Sequence, residues 1–138
     1  MTDKIIIYSD GGSRGNPGPA AIGALVEING NAFEVSECIG KATNNIAEYE
    51  AAIAGLKKAQ QLLGKRRAKM ATAECFLDSE LVVKQINGEY KIKESTLYAP
   101  FIELRNLTLD FRKVKFVHIK RELNKKADSL VNQALDSA

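Results

Sequence analysis

The chain has 138 residues, 45% hydrophobic and 27% charged, which suits one globular domain over 1–138 with its own hydrophobic core. The net charge of +3 permits a polyanionic partner without demanding one. Residues 1–4 offer no basic leader and no later stretch approaches a membrane span, so the expectation is a cytoplasmic protein, with no membrane partner and a monomer by default. Cys38 and Cys75 show no metal-ligand spacing and sit in apolar, strand-like company, which reads as two reduced, partly buried thiols.

Ile5, Ile6 and Ile7 form an apolar, β-branched run that leads through Tyr8 and Ser9 to Asp10 and then Gly11-Gly12. The absence of polar alternation predicts a strand covered on both faces, and the glycines would break a helix there, so Asp10 is delivered to a sheet edge. Residues 11–19 are turn chemistry. Ala20 to Ile28 and Ala32 to Ile39 read as two strands joined around Asn29-Gly30-Asn31, completing an antiparallel meander. Thr43, Asn44 and Asn45 are capping side chains ahead of a helix from Ile46 to Leu63, which Gly64 ends. Its small and apolar stripe, Ala52, Gly55, Leu56, Ala59 and Leu63, continues one turn back to Glu48, so Glu48 faces the sheet and Glu50 points away.

Lys65, Arg66, Arg67 and Lys69 read as a solvated loop, with a phosphate-contacting patch as the second reading. A strand from Ala73 to Leu77 then stops on Asp78, and Asp78-Ser79 caps a short helix from Glu80 to Ile86 that breaks at Asn87-Gly88. Ser95 or Thr96 starts a helix from about Leu97 to Arg112, with Pro100 in its first turn. Val114 to Ile119 is the last strand, and Asn124 caps a final helix running to about Asp136. The long helix between the third and fourth strands predicts that the fourth returns parallel to the first by a right-handed crossover.

Asp10 and Asp78 then meet at the carboxyl ends of neighbouring strands, where open α/β sheets place their ligands. Glu48 and Asp128, near the starts of their helices, can reach the same end. Singly, each acid has a bland reading: Asp10 and Asp78 as strand-end turn residues, Glu48 as a helix-dipole partner, Asp128 as a surface acid. Together, four carboxylates without a cation are costly, and the absence of nearby Cys or His points to a hard ion, Mg²⁺ or Mn²⁺.

The words Tyr8-Ser9-Asp10-Gly11-Gly12-Ser13-Arg14-Gly15-Asn16-Pro17-Gly18, Thr43-Asn44-Asn45-Ile46-Ala47-Glu48, Leu77-Asp78-Ser79 and Asn124-Lys125-Lys126-Ala127-Asp128 run in order across nearly the whole length. In them the chain resembles type 1 ribonuclease H. The resemblance implies an α/β fold of the ribonuclease H kind, a five-stranded mixed sheet of order 3-2-1-4-5 flanked by helices. It also implies metal-dependent hydrolysis of the RNA strand of an RNA·DNA hybrid, with Asp10, Glu48, Asp78 and Asp128 as the catalytic residues holding two Mg²⁺ ions, or Mn²⁺. Hybrid selection requires reading 2′-hydroxyls in a wide minor groove. By resemblance, Asn16, Asn44 and Asn45 would contact sugars and base edges, while Thr43, helped by Lys41, would hold a DNA-strand phosphate.

Three departures from the best-known bacterial pattern stand out. No Trp-rich basic protrusion lies between Asp78 and the last strand, which makes an additional activity on double-stranded RNA the alternative reading; a hybrid-binding module without turnover is disfavoured by the presence of all four acids. Lys120 to Leu123 lacks the mobile histidine of many relatives, and the single His118, inside the last strand, reads as structural. Glu80 stands where many relatives have Gln, and an ionised Glu can only accept. The stretch 117–124 resembles the short-loop archaeal and bacterial subgroup, where Arg121 either contacts substrate or is a solvated loop residue. In the family strand order, two strands separate those bearing Cys38 and Cys75, beyond disulfide reach.

Overall fold

The computed structural model describes residues 2–138. Three strands, β1 (Lys4–Ser13), β2 (Gly18–Ile28) and β3 (Asn31–Ala42), form the expected antiparallel meander. The β2–β3 turn works because Asn29 and Gly30 adopt φ of 51° and 88°, the left-handed pair a tight hairpin needs. After α1 (Asn44–Leu63) and α2 (Lys65–Met70), β4 (Thr72–Leu77) returns parallel to β1, and β5 (Lys113–His118) adds parallel to β4. The sheet order is β3-β2-β1-β4-β5, as the resemblance implied. Between β4 and β5 lie α3 (Glu80–Ile86), a 3-10 turn at Ser95–Leu97 and α4 (Tyr98–Thr108); a second 3-10 turn, Arg121–Leu123, leads into α5 (Lys125–Asp136).

One sheet face carries the main core. Ile5 and Ile7 of β1, Val26 of β2 and Cys75 of β4 are fully buried with Leu56 and Ala59 of α1. Residues of opposite parity face α5, which lies across β1, β2 and β3. There a side chain at Gly23 would overlap the Ala127 carbonyl, so the glycine allows α5 to sit directly on the strand.

Several boundaries differ from the sequence expectation. β1 does not stop at Asp10: it stays paired with β2 to Ser13↔Ala20, while its pairing with β4 ends at Ser9↔Leu77. Asp10 is therefore the first β1 residue past its parallel neighbour. The basic run at 65–69 is helical rather than a loop, because Ala68 is buried in the core and Arg67 forks onto Asp3. α4 ends at Thr108, not Arg112: the amides of Leu109, Asp110 and Phe111 turn to carbonyls three residues back, burying Phe111. Cys38 is exposed rather than partly buried, whereas Cys75 is buried; both are free thiols. His118 closes β5, paired with Leu77 of β4, and its side chain is exposed with no side-chain hydrogen bond among the described residues. No helix is long and apolar enough to cross a membrane.

Candidate active site

The carboxyl ends of β1 and β4 and the first turns of α1 and α5 surround a cleft of about 380 Å³. Asp10, Glu48 and Asp78 each offer a carboxylate oxygen within 4.8 Å of the others. Asp128, exposed on the first turn of α5, lines the same cleft and adds its charge beside Asp10. The four acids singled out in the sequence are thus brought together, three tightly and one at the rim.

Glu48 reaches the sheet because α1 lies against β1 at Gly11, where any Cβ would collide with the Ala47 carbonyl. The Gly11 amide donates to Glu48 Oε1 at 2.9 Å, which orients a carboxylate only 7% exposed. Glu48 Oε2 is buried with no partner among the described residues. The other buried side-chain atoms so orphaned are Ser9 Oγ and Asn124 Oδ1, so all three cluster at this end of β1. Buried polar groups ordinarily have partners, and unpartnered acceptors beside packed carboxylates fit a divalent cation.

The proton affinities carry the same signature. Asp10 is pushed up from 3.8 to about 6, chiefly by burial, and the charges of Asp78 and Asp128 add to it. Glu48 is raised well above the ordinary range by burial and then by Asp10, with the Gly11 amide opposing. Like charges at this spacing cannot all ionise without a cation to offset them.

Around the cleft, the capping residues do two tasks. Thr43 Oγ1 accepts from the Ile46 amide at 3.2 Å as the α1 cap. Asn44 Oδ1 accepts from the Ser13 amide at 2.9 Å, and Asn16 Oδ1 accepts from the Asn44 amide at 3.0 Å, which ties the β1–β2 turn to the start of α1. Asn45 Nδ2 donates to Glu94 Oε1 at 3.3 Å. Glu80 is held by Lys84 and by the Tyr90 hydroxyl, outside the cleft lining, as are exposed Lys41 and Asn16. Arg121, in the 3-10 turn, does line the cleft.

Asn124 was legible only as a helix cap, and it makes no side-chain cap bond. Its Nδ2 instead donates to the Ser9 carbonyl at 2.9 Å and to Asp78 Oδ2 at 3.1 Å. No sequence signal separates these two uses of an Asn before a helix.

A family model described as Reverse transcriptase-like matches residues 8–134. The ribonuclease H of Pseudomonas entomophila is 31% identical over 99% of this chain and 96% of its own length. The chain belongs to the ribonuclease H family. A bifunctional protein of Mycobacterium tuberculosis is 40% identical over 98% of this chain, which spans only 36% of that relative's length. Among solved ribonuclease H structures, LC11 ribonuclease H1 in complex with an RNA/DNA hybrid superposes with a TM-score of 0.89, at 46% identity over 96% of this chain and 97% of that one.

Proposed function

We propose that this chain is a metal-dependent endoribonuclease that hydrolyses the RNA strand of RNA·DNA hybrids, as one ribonuclease H domain. The observation that carries the reading is the triad of Asp10, Glu48 and Asp78 within 4.8 Å, with a buried Glu48 oxygen left for a cation. Asp10, Glu48, Asp78 and Asp128 would hold two divalent ions, Mg²⁺ or Mn²⁺. Bound there, such ions supply an activated water and charge stabilisation for the leaving 3′ oxygen in an in-line displacement, giving 5′-phosphate and 3′-hydroxyl ends.

The chain's own residues orient the substrate. Asn16 and Asn44 spend their amide oxygens on backbone N–H groups, which turns each Nδ2 toward solvent as a donor. Minor-groove base edges present acceptors, so donors are what such a reader needs. Asn45 adds a third amide beside them; Thr43 and Lys41 supply a hydroxyl and an ammonium for a DNA-strand phosphate, and Arg121 a guanidinium at the cleft mouth. Glu80, already paired with Lys84, presents a neutralised acceptor that suits a 2′-hydroxyl.

The test is cleavage of an end-labelled hybrid with Mg²⁺ or Mn²⁺, beside the all-DNA duplex of the same sequence. Hybrid alone should be cut, and Asp78→Asn should lose cleavage while retaining hybrid binding. Equal hydrolysis of duplex DNA, or undiminished turnover by Asp78→Asn, would refute the assignment.

A further inference from the structure

Asn124 is 1% exposed and sits between the 3-10 turn Arg121–Leu123 and α5, yet its side chain does not cap that helix. Both described bonds of the side chain run the other way, from Nδ2 to the Ser9 carbonyl at 2.9 Å and to Asp78 Oδ2 at 3.1 Å. Both partners are acceptors, so the amide orientation is determined: turned over, Oδ1 would face two oxygens. The arrangement leaves Oδ1 buried without a partner among the described residues and gives up the cap an Asn can make there. A side chain that forgoes its local hydrogen bond is held by something of greater consequence.

Ser9 and Leu77 are the last residues paired between β1 and β4, so the Asn124 amide bridges the two strands just before Asp10 and Asp78. The Asn124 carbonyl accepts from the Asp128 amide at 3.1 Å. One residue therefore touches the segments that carry three of the four acids.

We propose that Asn124 is a positioning residue for the cation site: it commits Asp78 Oδ2 to a hydrogen bond, leaves Asp78 Oδ1 free to serve as a ligand, and fixes the start of α5 so that Asp128 stays at the rim. This rests on the metal-dependent reading above. Partners that orient metal ligands in this way typically contribute about 10- to 100-fold in metal affinity. Hybrid recognition, which lies on the asparagine turns, should not depend on it.

Asn124→Leu keeps the branching and removes the donor. Calorimetric titration of the intact chain with Mn²⁺, without nucleic acid, should show a Kd raised by roughly 10-fold or more. In cleavage assays the half-saturating Mn²⁺ should rise in parallel, with hybrid KM unchanged and kcat largely restored at saturating Mn²⁺. A Mn²⁺ Kd within about twofold of wild type in a folded Asn124→Leu would overturn the proposal, since a purely structural role moves melting temperature and not ion affinity. If that variant does not fold, Asn124→Ala is judged by the same criterion, and failure of both to fold would make Asn124 a folding residue and reject the positioning role. A wild type that binds no Mn²⁺ would remove the metal reading itself, a result distinct from a variant that binds as well as wild type.

Discussion

Asp10→Asn should abolish cleavage and yet raise the stability of the metal-free protein. Asp10 is 8% exposed, and its carboxyl is lifted from 3.8 to about 6 by burial and by the charges of Asp78 and Asp128. Ionising it in the folded state therefore costs roughly 3 kcal/mol, at about 1.4 kcal/mol per tenfold loss of acidity. The sign follows from linkage: a carboxyl raised on folding contributes stability that is intact below 3.8 and is lost as pH rises through about 6. Asn keeps the shape and can still hydrogen-bond, but has nothing to ionise. Salt and water at the open side of the cleft screen part of this cost, leaving about 1–3 kcal/mol, or roughly 3–10 °C for a domain of this size. Thermal melts in EDTA between pH 4 and 8 read the effect directly: the variant should melt higher at pH 7.5, and the gap should widen as pH rises from 4 to 7. Mg²⁺ should narrow it by stabilising the wild type preferentially. A variant that melts at or below wild type in EDTA at pH 7.5, or a gap indifferent to pH, would refute the reasoning.

Gly11→Ala drives a methyl group into the Ala47 carbonyl, so α1 must retreat from β1; urea unfolding should show a loss on the order of 3 kcal/mol, and Mn²⁺ affinity should fall because Glu48 moves with the helix. Tyr49→Phe removes the buried 2.6 Å hydrogen bond to Gln85 Oε1, and should destabilise by about 1–3 kcal/mol in the same assay while leaving hybrid KM unchanged. Thiol labelling of the native protein should modify Cys38 alone, with Cys75, whose thiol burial pushes up, reacting only after unfolding; mass analysis of unreduced protein should find no disulfide.

Much of the sheet was readable because strand and turn signals are local. The apolar run 5–7, the Asn29-Gly30 hairpin and the Thr43 cap each act through neighbours in sequence, and each appears where expected. The stripe that points Glu48 inward is likewise a matter of helical period, and Glu48 is buried while Glu50 is only half-buried. What failed were ends and exposures set by distant partners. The helix at Lys65–Met70 depends on Ala68 reaching the core and on Asp3, more than sixty positions away in sequence, receiving Arg67. The length of β1 past Asp10 depends on β2, and the exposure of Cys38 and His118 on what α5 and β4 leave uncovered.

The sequence by itself determined the acids, the order of the elements that carry them and the parallel return of β4, because backbone periodicity, turn chemistry and crossover handedness are written in short stretches of chain. Tertiary structure alone decided how the acids meet. Asp10 stands clear because β4 ends one pairing earlier; Glu48 is oriented by an amide 37 residues away; Asp78 is held by Asn124, 46 residues on. Each of these depends on which backbone groups packing leaves free. Such long-range hydrogen bonds exist only once the sheet and its helices have closed around them, so local sequence pattern cannot announce them.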